Sequence, residues 1–300
     1  MFELPVFLSI GVPAYNEEES IQRSLYWITK QTLWKAMPPE RREIIVLANG
    51  CTDRTAEIAR EMQRKNPEIK VIETPKKSKA AAWNIIVRES NPNAEILLFT
   101  DADVVLHRRA LEKIWTRFKQ NRELELVGGM AVPINVSASK NPQVRERNIA
   151  LRESAERATN LAGCIYGIKR KTALGIKMPE NLLTEDLYLR LLVPDARFAK
   201  EKSAKAFFKP PETVRDIMRQ ERRYRLGLKQ LVQMGLLPQG ESIWTKAKKL
   251  RGLPLRQKLA RIYFYGIGRI KDFNPKTIFE PQWSKVKSSK IPKRQRHRKH

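Results

Sequence analysis

The chain has 300 residues, 41% of them hydrophobic, which suits one large α/β domain with a buried core and excludes wholesale disorder. Its formal net charge of +27 is unevenly placed: residues 200–300 hold 28 Lys/Arg against 7 Asp/Glu, and residues 1–199 hold 31 against 25. Two cysteines cannot build a disulfide framework, no CxxC pair points to zinc, and no run of about 18 apolar residues is present to span a bilayer.

The N-terminus lacks a basic region and a small-residue cleavage site, so no secretory leader is expected. Phe7–Val12 is a short apolar run closed by Pro13, the pattern of a buried strand. Glu17–Gln31 reads as a helix, and Glu43–Ala48 as a strand closed by Asn49-Gly50. Thr52–Lys65 reads as a helix capped by Thr52 or Asp53. Lys70–Glu73 is a short strand, Lys79–Glu89 a helix, and Ile96–Thr100 a buried strand running into Asp101-Ala102-Asp103. This alternation predicts an α/β fold with a mostly parallel sheet flanked by helices, and ligands outside the carboxyl ends of the strands. The polar loops after Val12, Ala48 and Thr100 converge on that edge. Further on, Leu126–Pro133 and Ala162–Ile168 read as strands and Thr184–Leu192 as a helix. From about Thr213 the pattern turns helical and basic, and Ser284–His300 carries eight Lys/Arg and no acid, the composition of a disordered or surface-bound tail.

Three constellations carry chemistry. Asp101 and Asp103, two residues apart at a strand's end, suit a hard divalent cation that also takes phosphate oxygens, although an aspartate-rich turn has the same look. Glu185-Asp186 is a second acidic pair, equally readable as the first turn of a helix. Gln220 to Arg225 is a third, basic stretch that a solvated helix face would also explain. No GxGxxG follows a strand, which argues against a dinucleotide-dependent oxidoreductase. The loop after the first strand is acidic and free of glycine, unlike the Gly-rich, Arg-containing loop of a nucleotidyltransferase.

In order and spacing, residues 7–230 resemble the inverting glycosyltransferases of family 2, which have the GT-A fold. Val12 to Glu18 resembles the opening nucleotide loop, and Asn49 to Thr55 the DGSTDGT segment, with Asn49 where the family usually has Asp. Lys79 to Asn84 is similar to GKAxAxN, Asp101-Ala102-Asp103 to the DxD motif, and Glu185-Asp186 to the later acidic pair. Gln220, Arg223 and Tyr224 resemble QxxRW, with Tyr for Trp. The resemblance implies that Pro13, Ala14, Tyr15, Glu17 and Asn49 line the base and ribose, with Lys79 near the nucleotide. It implies that Asp101 approaches ribose or metal, and that Asp103 ligates a Mg or Mn ion holding the diphosphate. Asp186, beside Glu185, would be the general base, and Arg222 or Arg223 would stabilise the diphosphate.

The expectation is therefore a GT-A domain over residues 1–215, with a nucleotide-sugar half to about residue 135 and an acceptor half over 136–215. A basic helical extension over 216–283 and a basic tail over 284–300 would follow. The donor would be a UDP-sugar and the acceptor a lipid or glycan. The cysteine usage points to the cytoplasm, and the basic C-terminal region to an anionic membrane surface on its inner face rather than to nucleic acid. The competing expectation is a catalytically idle GT-A-like domain that binds an anionic surface or nucleic acid through that region.

Overall fold

The computed structural model describes residues 3–238. The elements run β1 (Leu8–Ala14), α1 (Ile21–Thr29), α2 (Thr32–Ala36), β2 (Arg42–Asn49), α3 (Thr55–Lys65), β3 (Ile69–Thr74), α4 (Lys79–Glu89), β4 (Ile96–Thr100) and β5 (Val105–Leu106). They continue with α5 (Ala110–Gln120), β6 (Leu126–Pro133), α6 (Pro142–Ala155), β7 (Ile165–Lys169), α7 (Arg170–Leu174), α8 (Glu185–Leu192), β8 (Phe198–Phe208) and α9 (Val214–Gln233). The eight strands of the described residues form one sheet in the order β3-β2-β1-β4-β7-β6-β8-β5. Strands β3, β2, β1 and β4 are parallel, as expected. The other half adds antiparallel neighbours, so the sheet is mostly parallel, as expected, but not wholly so. There β7 runs antiparallel to both β4 and β6, β8 parallel to β6, and β5 antiparallel to β8, so the sheet is mixed.

Side-chain alternation sorts the core into two layers. Ile44 and Val46 of β2 join Ile10 and Val12 of β1 on one face, under Ile21, Leu25 and Ile28 of α1 and Leu111, Ile114 and Trp115 of α5. Ile45 and Leu47 face the other way, under Ala80, Ala82, Trp83 and Ile86 of α4. The small residues Ala80 to Ala82 and the absence of a side chain at Gly11 let α4 lie close to the sheet. A Cβ on Gly11 would come within 2.6 Å of Ile86 and 2.9 Å of Phe99. Trp83, Phe99 and Tyr166 then stack in series, with centroids 6.0 Å and 5.1 Å apart, locking α4 to β4 and β7.

Several boundaries move for local reasons. Pro13 does not end the first strand; it lies past Gly11, the last residue paired to β4, so its missing N–H costs no bond to that neighbour. The helix expected from Glu17 starts at Ile21, because Asn16 takes a left-handed backbone (φ 53°), and it stops at Thr29 before a separate α2. The helix expected from Thr52 starts at Thr55, because Asp53 is drawn into loop contacts. Helices α5 and α6 and the long β8 were not anticipated.

The expected basic extension begins inside α9, and residues 239–300, including the tail, lie outside the described residues. Among the described residues no helix is long and apolar enough to cross a membrane. Helix α9 is seated by Ile217 against Val144 of α6 and by Leu231 in the α4-side layer. Between these two anchors Gly227 meets Thr184, and a Cβ there would lie 2.4 Å from its Cγ2. In a free helix Gly→Ala gains roughly 1 kcal/mol. Here Thr184 is buried and stiff at χ1, so Gly227→Ala is expected to destabilise by about 1–3 kcal/mol through overpacking. Denaturant midpoints of the two proteins decide it, and an equal or higher midpoint in the variant would show the contact to be slack.

Candidate active site

The carboxyl ends of β1, β2 and β4 are stitched together by side-chain bonds between their loops. The Asn16 side-chain carbonyl accepts from Thr52 N–H at 2.8 Å, Glu17 N–H donates to Thr55 Oγ1 at 2.6 Å, and Glu18 N–H donates to Asp53 Oδ2 at 3.3 Å. Ser24 of α1 donates to the Asp101 carbonyl at 3.2 Å, and Asp101 N–H donates to the Cys164 carbonyl at 3.2 Å, so the loop after β4 is tied to α1 and to the residue just before β7.

Lys79 lies at the centre. Its Nζ is 2.7 Å from Asp101 Oδ1 and 2.7 Å from Glu185 Oε1, joining the start of α4 to the ends of β4 and the start of α8. Burial alone would favour the neutral amine, but the two carboxylates outweigh it and hold the Lys79 pKa well above the usual lysine value. Burial likewise opposes the charge on Glu185, but Lys79, joined by Arg223, keeps this carboxyl below the usual range. Asp101 is raised by burial despite Lys79, and the neighbouring Asp103 adds to the rise. Asp186 differs from both. Burial and the adjacent Glu185 charge push it up to about 6. One Asp186 oxygen accepts from Leu187 N–H at 2.8 Å, and the other lies against Gly163, where a Cβ would approach it to 3.1 Å.

Behind this group is a cavity of about 290 Å³ whose lining includes Lys77, Lys79, Glu180, Leu182, Glu185 and Arg223. Two clamps shape it. Asn84 of α4 bonds both ways with the Met178 backbone, at 2.7 and 3.0 Å, and Gln230 of α9 accepts from Leu183 N–H and donates to the Asn181 carbonyl. Lys76 pairs with Glu180 at 2.7 Å, and Ser78 donates to the Glu180 carbonyl.

The structure thus brings Lys79, Asp101, Glu185, Asp186 and Arg223 together. Arg223 faces the cavity, while Arg222 is exposed. Tyr15 and Glu17 lie half-buried at the rim, and Glu17 accepts from Ser20 Oγ. Pro13, Ala14 and Asn49 lie deeper, and both side-chain atoms of Asn49 are buried without a hydrogen-bond partner among the described residues. Asp103 is half-buried within the field of Arg23, an α1 cation that no sequence signal marked. The roles of Gly163 and Gln230 were equally unmarked. Among the described residues no group of three or more His, Cys, Asp or Glu side chains can hold a metal ion. Asp101 and Asp103 offer only oxygen donors on a polar edge, a set that fits a hard cation completed by phosphate oxygens.

Comparison with known proteins identifies the family and the fold. The family model described as "Glycosyl transferase family 2" covers residues 9–170. The glycosyltransferase AglE of Haloferax volcanii is 34% identical over 124 residues, 41% of this chain and 38% of that protein. The chain thus spans well under half of that relative's length. Among solved structures, the mannosyltransferase PcManGT from Pyrobaculum calidifontis, in complex with GDP-Man and Mn2+, superposes with a TM-score of 0.59 at 18% identity. That match covers 92% of this chain and 72% of the other. S. aureus TarS 1–349 in complex with UDP-GlcNAc gives 0.51 at 17% identity, covering 69% and 59%. These likenesses show the GT-A fold.

Removing the central cation tests the electrostatic account. Lys79→Met leaves two buried carboxylates without it, and breaking such a pair costs roughly 3–5 kcal/mol. In the wild type, the share due to Glu185 is present above the unfolded-state pKa and lost as pH falls through the lower folded one. In the variant both carboxyls titrate higher in the folded state than unfolded, so acidification recovers part of the lost stability. Denaturation of both proteins at about pH 5 and about pH 8 checks this. A constant gap between them would remove Lys79 from the centre.

Proposed function

As the chain belongs to glycosyl transferase family 2, we propose that it transfers a sugar from a nucleoside diphosphate donor, a UDP-sugar, to a hydroxyl of a lipid or glycan acceptor with inversion. Asp186 is the general base. The observation that carries this reading is the division of labour in the acidic pair: Glu185 is held ionised against Lys79, while Asp186, one residue on, is pushed up to about 6 and, among the described residues, has no cation at salt-bridge distance. A base titrating near neutral pH is well matched to proton abstraction in the transition state.

The chain's residues divide the work by position. Tyr15, Glu17 and Asn49 receive the base and ribose at the ends of β1 and β2. Asp103, with Asp101 beside it, would hold a divalent cation, which when bound supplies Lewis-acid neutralisation of the departing diphosphate. The Mn2+ in the PcManGT complex supports that choice of ion. Arg223 contributes positive charge from the cavity side. Lys79 fixes Asp101 relative to Glu185 and so sets the distance between the donor edge and the acidic pair. Asp186 accepts the acceptor's proton as its oxygen attacks the anomeric carbon, and the nucleoside diphosphate departs from the opposite face.

Two measurements bear on this. Asp186→Asn keeps size but removes the basic oxygen, so transfer should slow by about 10²–10⁴-fold with donor affinity nearly unchanged. The wild-type rate should climb with pH through about 6, as Asp186 loses its proton. A full rate in Asp186→Asn would move the base elsewhere. Asp103→Ala should abolish turnover and metal-dependent binding of the donor while circular dichroism stays unchanged; unaltered turnover there refutes the cation assignment. If a panel of nucleotide sugars yields no transfer by the wild type, the domain is idle.

A further inference from the structure

Helix α9 has two functional faces. Its inner side, through Gly227, Gln230 and Arg223, forms a wall of the active site. Its outer side carries Arg215, Arg222 and Lys229, all exposed and seven residues apart. At 100° per residue these three fall within about 20° of one another per step, a single line along a helix about 30 Å long. Arg219 and Arg225 flank the line. Both acids of α9 point elsewhere: Glu221 pairs with Arg147 of α6 at 3.0 Å, and Asp216 is buried. Met218 and Leu226 lie within about 40° of the Arg222 direction and are only half-buried, so apolar stems alternate with cations along the outer face. From Pro238 the chain continues for 62 residues with 18 Lys/Arg against 3 Asp/Glu.

We propose that the outer face of α9 docks on an anionic lipid bilayer. Cations in line recognise lipid phosphates, and half-exposed Met218 and Leu226 give the helix apolar contact with the headgroup boundary, which a nucleic acid backbone would leave unused. The geometry has a consequence for the acceptor. Arg223 is about 100° around the helix from Arg222, so the cavity that Arg223 lines lies along the flank of the docked helix and not behind it. An acceptor headgroup lying in the bilayer surface reaches the acidic pair from that side. The docking itself does not depend on the catalytic assignment; only this last step rests on it.

The test uses the full chain and vesicles of phosphatidylcholine with or without phosphatidylglycerol. Arg215→Gln, Arg222→Gln and Lys229→Gln are combined in one variant. The control variant combines Arg60→Gln, Arg64→Gln and Lys65→Gln, an equal loss of charge from exposed positions on α3. Each basic residue near an anionic surface contributes about a fivefold factor in partitioning, so the α9 variant should bind phosphatidylglycerol vesicles on the order of a hundredfold more weakly. The α3 variant should bind like the wild type. Hydrolysis of a soluble donor should be unchanged in both. Equal losses in the two variants would show that net charge alone governs binding and overturn the proposal. So would a wild-type protein that ignores the vesicles, or one that binds RNA with a steep salt dependence in their place. A wild type that turns over donor but does not bind the vesicles defeats the docking surface alone, whereas a wild type that binds the vesicles without donor turnover defeats the transferase reading alone.

Discussion

One buried ammonium holds this protein's chemistry in place. Lys79 stands 2.7 Å from two carboxylates that the chain supplies 22 and 106 residues further on. A charged group out of water is costly unless it is paired, and here the two carboxylates together outweigh that cost. The same attraction keeps Glu185 ionised, and the charge on Glu185 helps raise Asp186. Thus three acidic side chains of similar intrinsic strength acquire different proton affinities from one lysine and their order around it.

The lysine is positioned by packing at a distance from it. Ser78 caps α4 by accepting from Ala81 N–H, and the stack of Trp83, Phe99 and Tyr166 fixes the helix against the strand that ends in Asp101. On the other side, Gln230 and Gly227 press α9 onto the loop that leads to Glu185. The site is consequently held by contacts between elements far apart in sequence, and small side chains matter as much as charged ones. Gly11 and Gly227 admit close approach where any Cβ would intrude.

Much of the frame was legible because local pattern and tertiary role agree there. Lys79–Glu89, Ile96–Thr100 and Leu126–Pro133 were read with the boundaries the structure shows, since each is an apolar segment bounded by polar or turn residues. Strand β8 was missed because Phe198–Phe208 contains Lys200, Glu201, Lys202 and Lys205, and only Ala204 and Ala206 in it are fully buried. The reversal of β7 was illegible for another reason: strand direction is set by which neighbour a strand meets, and a short apolar run does not encode that. At the site, the motif residues announced themselves by type and spacing. The partners that tune them did not. Nothing near Lys79 in sequence indicates Glu185, and Arg23, Gly163 and Gln230 have ordinary surroundings in the chain.

The turn holding Asp101 and Asp103 is short, and both of its ends are strands. Before it, β4 is paired on both sides in the middle of the sheet; after it, β5 is paired to β8 at the far edge. Only four residues, Asp101 to Val104, connect them, with Ala102 and Val104 turned into the core. Fixing a residue's backbone costs about 1–2 kcal/mol in conformational entropy. For these four residues that cost falls within folding and not within ligand capture. A ligand that engages both aspartates therefore meets them already ordered, and its affinity is not reduced by having to arrange the turn.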